Sequence, residues 1–555
     1  MKRIVIIAFL LGAGLCNAAI IKVPDDSATI QAGINGAVNG DTVLVATGIY
    51  TGDGNRDLDF DGRLITVISE YGPDSTIINC QASPANRHRA FIFQNGEDTF
   101  AIVKGFTISS GVAPLTNDGG YGGGGVYCDN SSPTFRNCIF RLNDGVERGG
   151  GAYCNNSSPV FYSCVFDTNG GSYGGGICCD SGNVTIMECT FNYNISDNVG
   201  GGIYLNISNA IITGCDFMLN IGSNFGGAIY SQMCDPIITE CTFSDNSAGF
   251  CGGAIYGFAF RPEITGCTFD YNYAFDGGAI YCDGGIDSAD DPDRSQVMAT
   301  ITDCVFSNNS TSMAVGGTGG AIWWRWDGVI LLIQESVFYG NMAEYGGALA
   351  VGEYLSLSMS NCTVVDNTAQ YGAGLALYPM AALHLIENSI IAFNQGGSAG
   401  YCDPETDVAL VCCDVYGNAG GDYVQCFEGF EGINGNFSAD PVFCDRENHD
   451  YTLWERLSPC LPENNECEVL IGALGAGCTG YVCGDANSDA HVGVSDAIYI
   501  INYIFAGGNP PDPYESGDVN CDGYVNVADA VWIINYVFAG GNAPCDTDGD
   551  GIPDC

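Results

Sequence analysis

Two short stretches near the C-terminus space oxygen-bearing side chains so that they could hold a metal ion. Asp485, Asn487, Asp489 and Asp496 fall at positions 1, 3, 5 and 12 of one loop, and Asp518, Asn520, Asp522 and Asp529 repeat the pattern 33 residues later. Carboxylate and amide oxygens at that spacing form a calcium loop, in which position 7 contributes a backbone carbonyl, here that of His491 or Tyr524. Asn526 adds an oxygen or holds a water at position 9 of the second loop. Calcium, one ion per loop, is the expected cofactor. The tail at 545–555 alternates Asp546, Asp548 and Asp550 with Asp554 further on. It reads either as a further calcium repeat closed by Cys545 and Cys555, similar to the thrombospondin type 3 kind, or as a solvated acidic tail.

Each loop runs into an apolar segment, Ala497 to Phe505 and Ala530 to Phe538, that ends in Ala-Gly-Gly-Asn and predicts a helix with a glycine stop. Both segments contain Ile-Ile-Asn-Tyr. Two such loop–helix halves over 483–544 resemble a type I dockerin, an EF-hand-like module that plugs a protein into a cohesin-bearing scaffold. The resemblance implies that positions 10 and 11, Val494-Ser495 and Val527-Ala528, help select the cohesin, and that near-duplication permits docking in two orientations. Loop one departs from loop two by Ala490 in place of Gly523 and Gly493 in place of Asn526. The plainer alternative is a calcium-stabilised end module without a cohesin partner.

A second set of residues could bind sugar. Tyr127, Tyr153, Tyr204, Tyr230, Tyr256, Tyr281 and Trp323 share one phase, just after an inward apolar ladder, and so are expected to face outward. The stripe ends at Trp323-Trp324-Arg325-Trp326, where Trp324 has the inward phase. Long insertions within 283–299 and 309–320 flank it, and binding concentrates in such loops. Exposed rings suit the apolar faces of sugars, so Trp323, Arg325, Trp326, Tyr281 and Tyr256 are candidate polysaccharide-binding residues. The alternative is that the rings are only cross-strand pairs. No catalytic constellation is legible; Arg136, Arg141 and Arg148 read as surface charges.

What positions these residues is a repeat. Cys138, Cys164, Cys189, Cys215, Cys241, Cys267 and Cys304 recur mostly every 25 or 26 residues, each with a phenylalanine two residues on. Asparagine follows five residues after each, at Asn143, Asn169, Asn194, Asn220, Asn246, Asn272 and Asn309, and the phase continues through Asn341, Asn367, Asn394 and Asn418. A second marker, as in Gly227-Ala228-Ile229, keeps the same step. A short period without helical spacing, rich in Ile, Phe, Thr and Gly, predicts coils of short strands stacked at about 4.8 Å. Roughly fourteen coils are expected, with phenylalanines stacked inside. The asparagines are expected at a turn, where their amides bond along the ladder and left-handed backbone is tolerated.

Thr29-Ile30-Gln31-Ala32 through Gly48-Ile49-Tyr50 resembles the capping helix and first coil of right-handed parallel β-helix proteins of the pectin-lyase-like fold. The Gly-Gly-Ala-Ile and Phe-x-x-Asn units resemble the repeats of polymorphic outer-membrane proteins, which are surface adhesins; their membrane barrel has no counterpart here. The ladder cysteines share the inward phase and read as buried thiols, with disulfides between coils the alternative. Cys402, Cys412, Cys426, Cys444, Cys460, Cys467, Cys478 and Cys483 have no ladder and are expected to form disulfides.

The charge balance, 16 basic against 65 acidic residues for a net −49, sets a negative field that argues against nucleic acid as a partner. Met1-Lys2-Arg3, the apolar run to Leu15, and Cys16-Asn17-Ala18 have the form of a secretory signal peptide; a lipoprotein reading of Cys16 meets Leu15 where a small residue is needed. No later run approaches the roughly 18 apolar residues of a membrane span. The expected protein is secreted and all-β: signal peptide 1–18, right-handed parallel β-helix 19–478 with caps at 19–110 and 419–478, a small α-helical dockerin at 483–544, and the tail 545–555. It would act in polysaccharide binding or catabolism, as a polysaccharide lyase or O-glycosyl hydrolase if an enzyme. The competing class is a non-catalytic cell-surface adhesin or structural rod.

Overall fold

The computed structural model describes residues 18–284, 298–313, 316–325, 330–353, 355–379, 383–478, 482–489 and 491–546. Residues 1–17 of the segment expected as a signal peptide, Trp326, Ala490, and Asp548, Asp550, Asp554 and Cys555 of the tail lie outside them. The chain divides into two compact units, Met1–Ala439 with Ile471–Ala473, and Asp440–Leu470 with Leu474–Cys555.

One repeat is one coil of the first unit. A typical coil runs through Ile203–Asn206 in sheet C, Ile211–Thr213 in sheet A and Asp216–Met218 in sheet B, and each strand pairs in parallel with its copy one repeat on. Among the described residues sheet A holds 15 strands, sheet B 14 and sheet C 13, close to the expected number of coils. The first helix, α1 (Ile30–Gly36), packs against the first coils with Thr29 as its N-cap.

Identical residues stack because the repeat is a pure translation. Phe140, Phe166, Phe191, Phe217, Phe243 and Phe269 are fully buried, with successive ring centroids 4.6–4.8 Å apart. The ladder cysteines are buried thiols. Hydrogen bonding explains why they need no bridge: the Cys164 backbone N–H donates to Cys189 Sγ at 3.3 Å, and that thiol donates to the Met187 carbonyl at 3.2 Å. From Asn143 to Asn418 each asparagine Nδ2 donates to the Oδ1 of the next at 2.8–3.0 Å. The left-handed residue of this turn is not the asparagine but the one before it, as at Leu142, Thr168, Tyr193 and Asp245. That inversion points the buried asparagine amide along the stack and leaves its neighbour in solvent.

The Asn246→Ala variant is expected to lose about 2–4 kcal/mol, because the Asn220 backbone N–H and Nδ2 both donate to Asn246 Oδ1 and would be orphaned in the core. Asp245→Gly, at φ 54°, should change stability little. Thermal melting of the two variants separates these outcomes.

The Gly-Gly marker is also steric. A Cβ on Gly227 would sit 2.1 Å from the Gly253 carbonyl of the next coil, so the stack closes only on glycine there. Between sheets B and C the chain makes short flanking strands, such as Gly170–Tyr173 and Ile195–Val199, and later Met342–Tyr345 and Thr368–Tyr371. Their rings and those of adjoining bridges lean on the outer face of sheet C.

In the second unit, Phe443–Asp445, Asp450–Trp454 and Ala476–Cys478 form a small sheet with a Cys444–Cys478 disulfide. Helices α2 (Val494–Ala506) and α3 (Val527–Ala539) follow the acidic loops, and each stops at a left-handed glycine, Gly507 or Gly540. They enclose a small core of Ala486, Ala497, Ile500, Val519, Ala530 and Ile533. Cys483 bonds Cys545 across the ends of this helical module, so Cys545 is not available to pair with Cys555 as the calcium-repeat reading of the tail requires. Cys402 bonds Cys426, and Cys412 and Cys467 are also disulfide-bonded; Cys460 is buried.

Candidate functional site

The first acidic loop brings three of its carboxylates together. Carboxylate oxygens of Asp485, Asp489 and Asp496 all lie within 4.8 Å of one another. Backbone N–H groups hold the cluster: Asp489 N donates to Asp485 Oδ1 at 3.0 Å and to Asn487 Oδ1 at 2.9 Å, and Gly493 N to Asp496 Oδ2 at 2.8 Å. Burial, with the charges of Asp485 and Asp489 adding to it, raises the Asp496 pKa against the opposing N–H bonds of Gly493 and Asn487. An all-oxygen set of mutually repelling carboxylates fits a hard divalent cation.

Loop two repeats the scaffold. Asp522 N donates to Asp518 Oδ1 at 3.1 Å and to Asn520 Oδ1 at 3.0 Å, while Asp529 Oδ1 accepts from Val519 and Asn520. Asn526 caps α3 through Ala528 N, and its Nδ2 donates to the Tyr524 carbonyl at 3.1 Å. Burial likewise raises Asp529. His491 is exposed, and Asp546 is buried.

Val494, Ser495, Val527 and Ala528 are all exposed at the N-terminal ends of the two helices. They begin a longer feature that the sequence reading missed. On α2, Val494, Ile498, Ile501 and Phe505 are exposed, and on α3 so are Val527, Val531, Ile534 and Phe538. Spacings of four, three and four residues make each set one helix face, distinct from the buried face of Ala497 and Ile500 or Ala530 and Ile533. A second apolar stripe beside the core stripe was the available signal.

On the coil stack, the predicted register holds but the exposure does not. Tyr230, Tyr256, Tyr281 and Trp323 pair in one ladder, with rings of Tyr230, Tyr256 and Tyr281 stacked at 5.1 and 5.4 Å. Tyr256 and Tyr281, expected as exposed sugar-binding rings, are only 7% and 4% exposed. Phe225 lies against Tyr256 at 4.8 Å, and the Tyr281 hydroxyl accepts from Arg325. Outward phase on a strand therefore means packing here, because the segment between sheets B and C covers that face.

The stripe opens at Trp323. This half-buried ring, with Arg325, Gly352, Glu353 and Tyr378, lines a cavity of about 280 Å³. A Cβ on Gly352 would lie 3.1 Å from Trp323 Cη2 and 3.2 Å from Arg325 Cα, so the cavity wall depends on the missing side chain. Tyr378, two coils on, stands 5.7 Å from Trp323 at a 59° tilt. Trp324 is fully buried against Phe260, which fills the space left by Gly257.

Two half-buried carboxylates, Asp276 and Asp283, interact electrostatically with Arg325. Burial raises the pKa of each, opposed for Asp276 by the Thr318 N–H at 2.9 Å and for both by the Arg325 charge. The other Asp–Arg cluster is closed on itself. Arg148 pairs with Asp118, and the Tyr153 hydroxyl donates to Asp118 Oδ2 at 3.0 Å beneath the guanidinium. Arg141 bridges to Asp167 at 2.7 Å, while Arg136 is exposed.

Parallel coils, continuous inner ladders and three sheets per turn define a right-handed β-helix carrying a separate two-loop helical module. The chain belongs to the right-handed β-helix family, whose model matches 66–229 and 192–436, and it carries a type I dockerin domain at 483–538. No curated protein matches it. Among solved structures it is similar to PfbA, a surface adhesin of Streptococcus pneumoniae, at 12% identity and a TM-score of 0.31 over 74% of this chain and 93% of that one. No helix among the described residues is long and apolar enough to cross a membrane.

Proposed function

We propose that this is a secreted, calcium-binding protein that binds polysaccharide on its coil stack and is held on a cohesin-bearing scaffold by its dockerin. The observation that carries the reading is the pair of matching exposed apolar faces on α2 and α3, next to two acidic loops in a type I dockerin. Exposed apolar faces on a small module support a protein interface. Asp485, Asn487, Asp489, Asp496 and the His491 carbonyl would hold one calcium ion; Asp518, Asn520, Asp522, Asn526, Asp529 and the Tyr524 carbonyl would hold the other.

Capture of the full chain by a panel of immobilised type I cohesins in calcium tests the docking half. Because the faces are duplicates, Ile498→Asp with Ile501→Asp should leave binding in one orientation. Adding Val531→Asp and Ile534→Asp should abolish it. Failure of every cohesin to capture the wild-type chain, or equal loss in both variants, counts against docking through duplicated faces.

The glycan half rests on the Trp323 cavity. A catalytic reading is favoured by one observation, that the half-buried carboxylates of Asp276 and Asp283 interact electrostatically with Arg325, which lines that cavity. A carboxyl group whose pKa is raised by burial is a candidate general acid. Assay of a polysaccharide panel for unsaturated or reducing products decides it: products lost in Asp276→Asn or Asp283→Asn support catalysis, and binding without products supports a non-catalytic role.

A further inference from the structure

The Trp323 cavity does not stand alone. In the outward ladder of sheet C the positions after Trp323 are Ala350, Ala376 and Tyr401, in direct register. Tyr378 bridges this interval, 5.7 Å from Trp323 and 6.4 Å from Tyr401. Tyr345 and Tyr371, stacked at 4.7 Å, form a shoulder whose rings lie 6.0 and 5.8 Å from Tyr401. Beyond Tyr401 lies a second cavity of about 500 Å³, lined also by Asp403, Thr406 and Gln425 and edged by the Cys402–Cys426 disulfide. Thr406 Oγ1, in that lining, is buried without a hydrogen-bond partner.

We infer that the two cavities are subsites of one groove that takes an extended, uncharged oligosaccharide running along the stacking axis. This rests on the glycan reading above and adds its direction, length and charge class. Three ladder steps from Trp323 to Tyr401 span about 14 Å, room for roughly three pyranose rings in a row. Half-buried rings that tilt against one another offer flat apolar faces at successive positions, as sugar stacking requires. The polar groups at either end, Glu353 in the first cavity and Asp403, Thr406 and Gln425 in the second, can accept hydrogen bonds from hydroxyls. Glu353 and Asp403 repel a uronate, and the cation lining the first cavity, Arg325, already faces Asp276 and Asp283. A chain of net charge −49 disfavours a polyanion at long range as well.

Titration calorimetry of the full chain against cello-, xylo- and manno-oligosaccharides of increasing length, with oligogalacturonates in parallel, tests the inference. Affinity for at least one neutral series should rise about tenfold or more from the dimer to the tetramer and then level off. Tyr401→Ala should remove that rise, so that the tetramer gains nothing over the dimer, with unaltered melting as the folding control. Tighter binding of oligogalacturonates, affinity independent of length, or equal loss of dimer and tetramer in Tyr401→Ala would overturn the groove while keeping a glycan site. No binding by any neutral or acidic oligosaccharide would overturn the glycan reading itself.

Discussion

Calcium chelation is expected to unfold the dockerin, residues 483–544, while leaving the coil stack folded. The module has a core of only a few side chains, among them Ala497, Ile500, Ala530 and Ile533. That is too little apolar area to order two helices against chain entropy. Three carboxylates within 4.8 Å repel one another until a cation neutralises them, so binding energy there is folding energy. The Cys483–Cys545 bond closes a loop of 62 residues and restricts the unfolded module, a contribution of about 4 kcal/mol in the chain-entropy account. Chelator and reductant together should therefore melt the module more completely than chelator alone. Far-ultraviolet circular dichroism of the isolated 483–546 segment and calorimetry of the whole chain would follow this. A module whose melting is unchanged in excess chelator would rule calcium out as its structural ion. Asp485→Ala and Asp518→Ala should each weaken calcium binding. The sequence, with Gly523 and Asn526 in loop two, predicts the larger loss for Asp518→Ala.

The second large effect separates two neighbouring tryptophans. Trp324→Ala should cost on the order of 3–5 kcal/mol, because a fully buried indole stacked on Phe260 leaves a cavity that Gly257 and the surrounding ladder cannot fill. Its Nε1 has no hydrogen-bond partner, so Trp324→Phe removes no bond and should cost much less. Trp323→Ala should do the reverse, abolishing glycan binding while shifting the melting temperature little, since the ring is half-buried beside an open cavity. Paired thermal melts and polysaccharide pull-downs check both. Glycan binding that survives Trp323→Ala, or equal destabilisation by the two alanine variants, would make the cluster packing alone.

The coil architecture was legible in the sequence because translation makes it local. A residue's partner in the next strand is its own copy 25 or 26 positions on, so spacing alone determined that Phe140 meets Phe166 and that Asn143 bonds Asn169. The acidic loops were legible for the same reason, since all their side-chain ligands lie within one loop. Exposure was not legible. Tyr256 and Tyr281 have the phase of surface rings, yet the chain between sheets B and C folds back over them, and the side chain it lays there changes from coil to coil, Val199, Phe225, Cys251 and Asp276 being successive copies of one position. Stacking also brought Tyr378 to Trp323 across two coils and left room beside Gly352, which no spacing rule reports. On α2 and α3 the sequence marked apolar helices, but only packing decided which apolar face was spent on the core and which, from Val494 to Phe505 and from Val527 to Phe538, remained outside. Repetition and ligand spacing are properties of the chain; what is covered is a property of how separate segments meet.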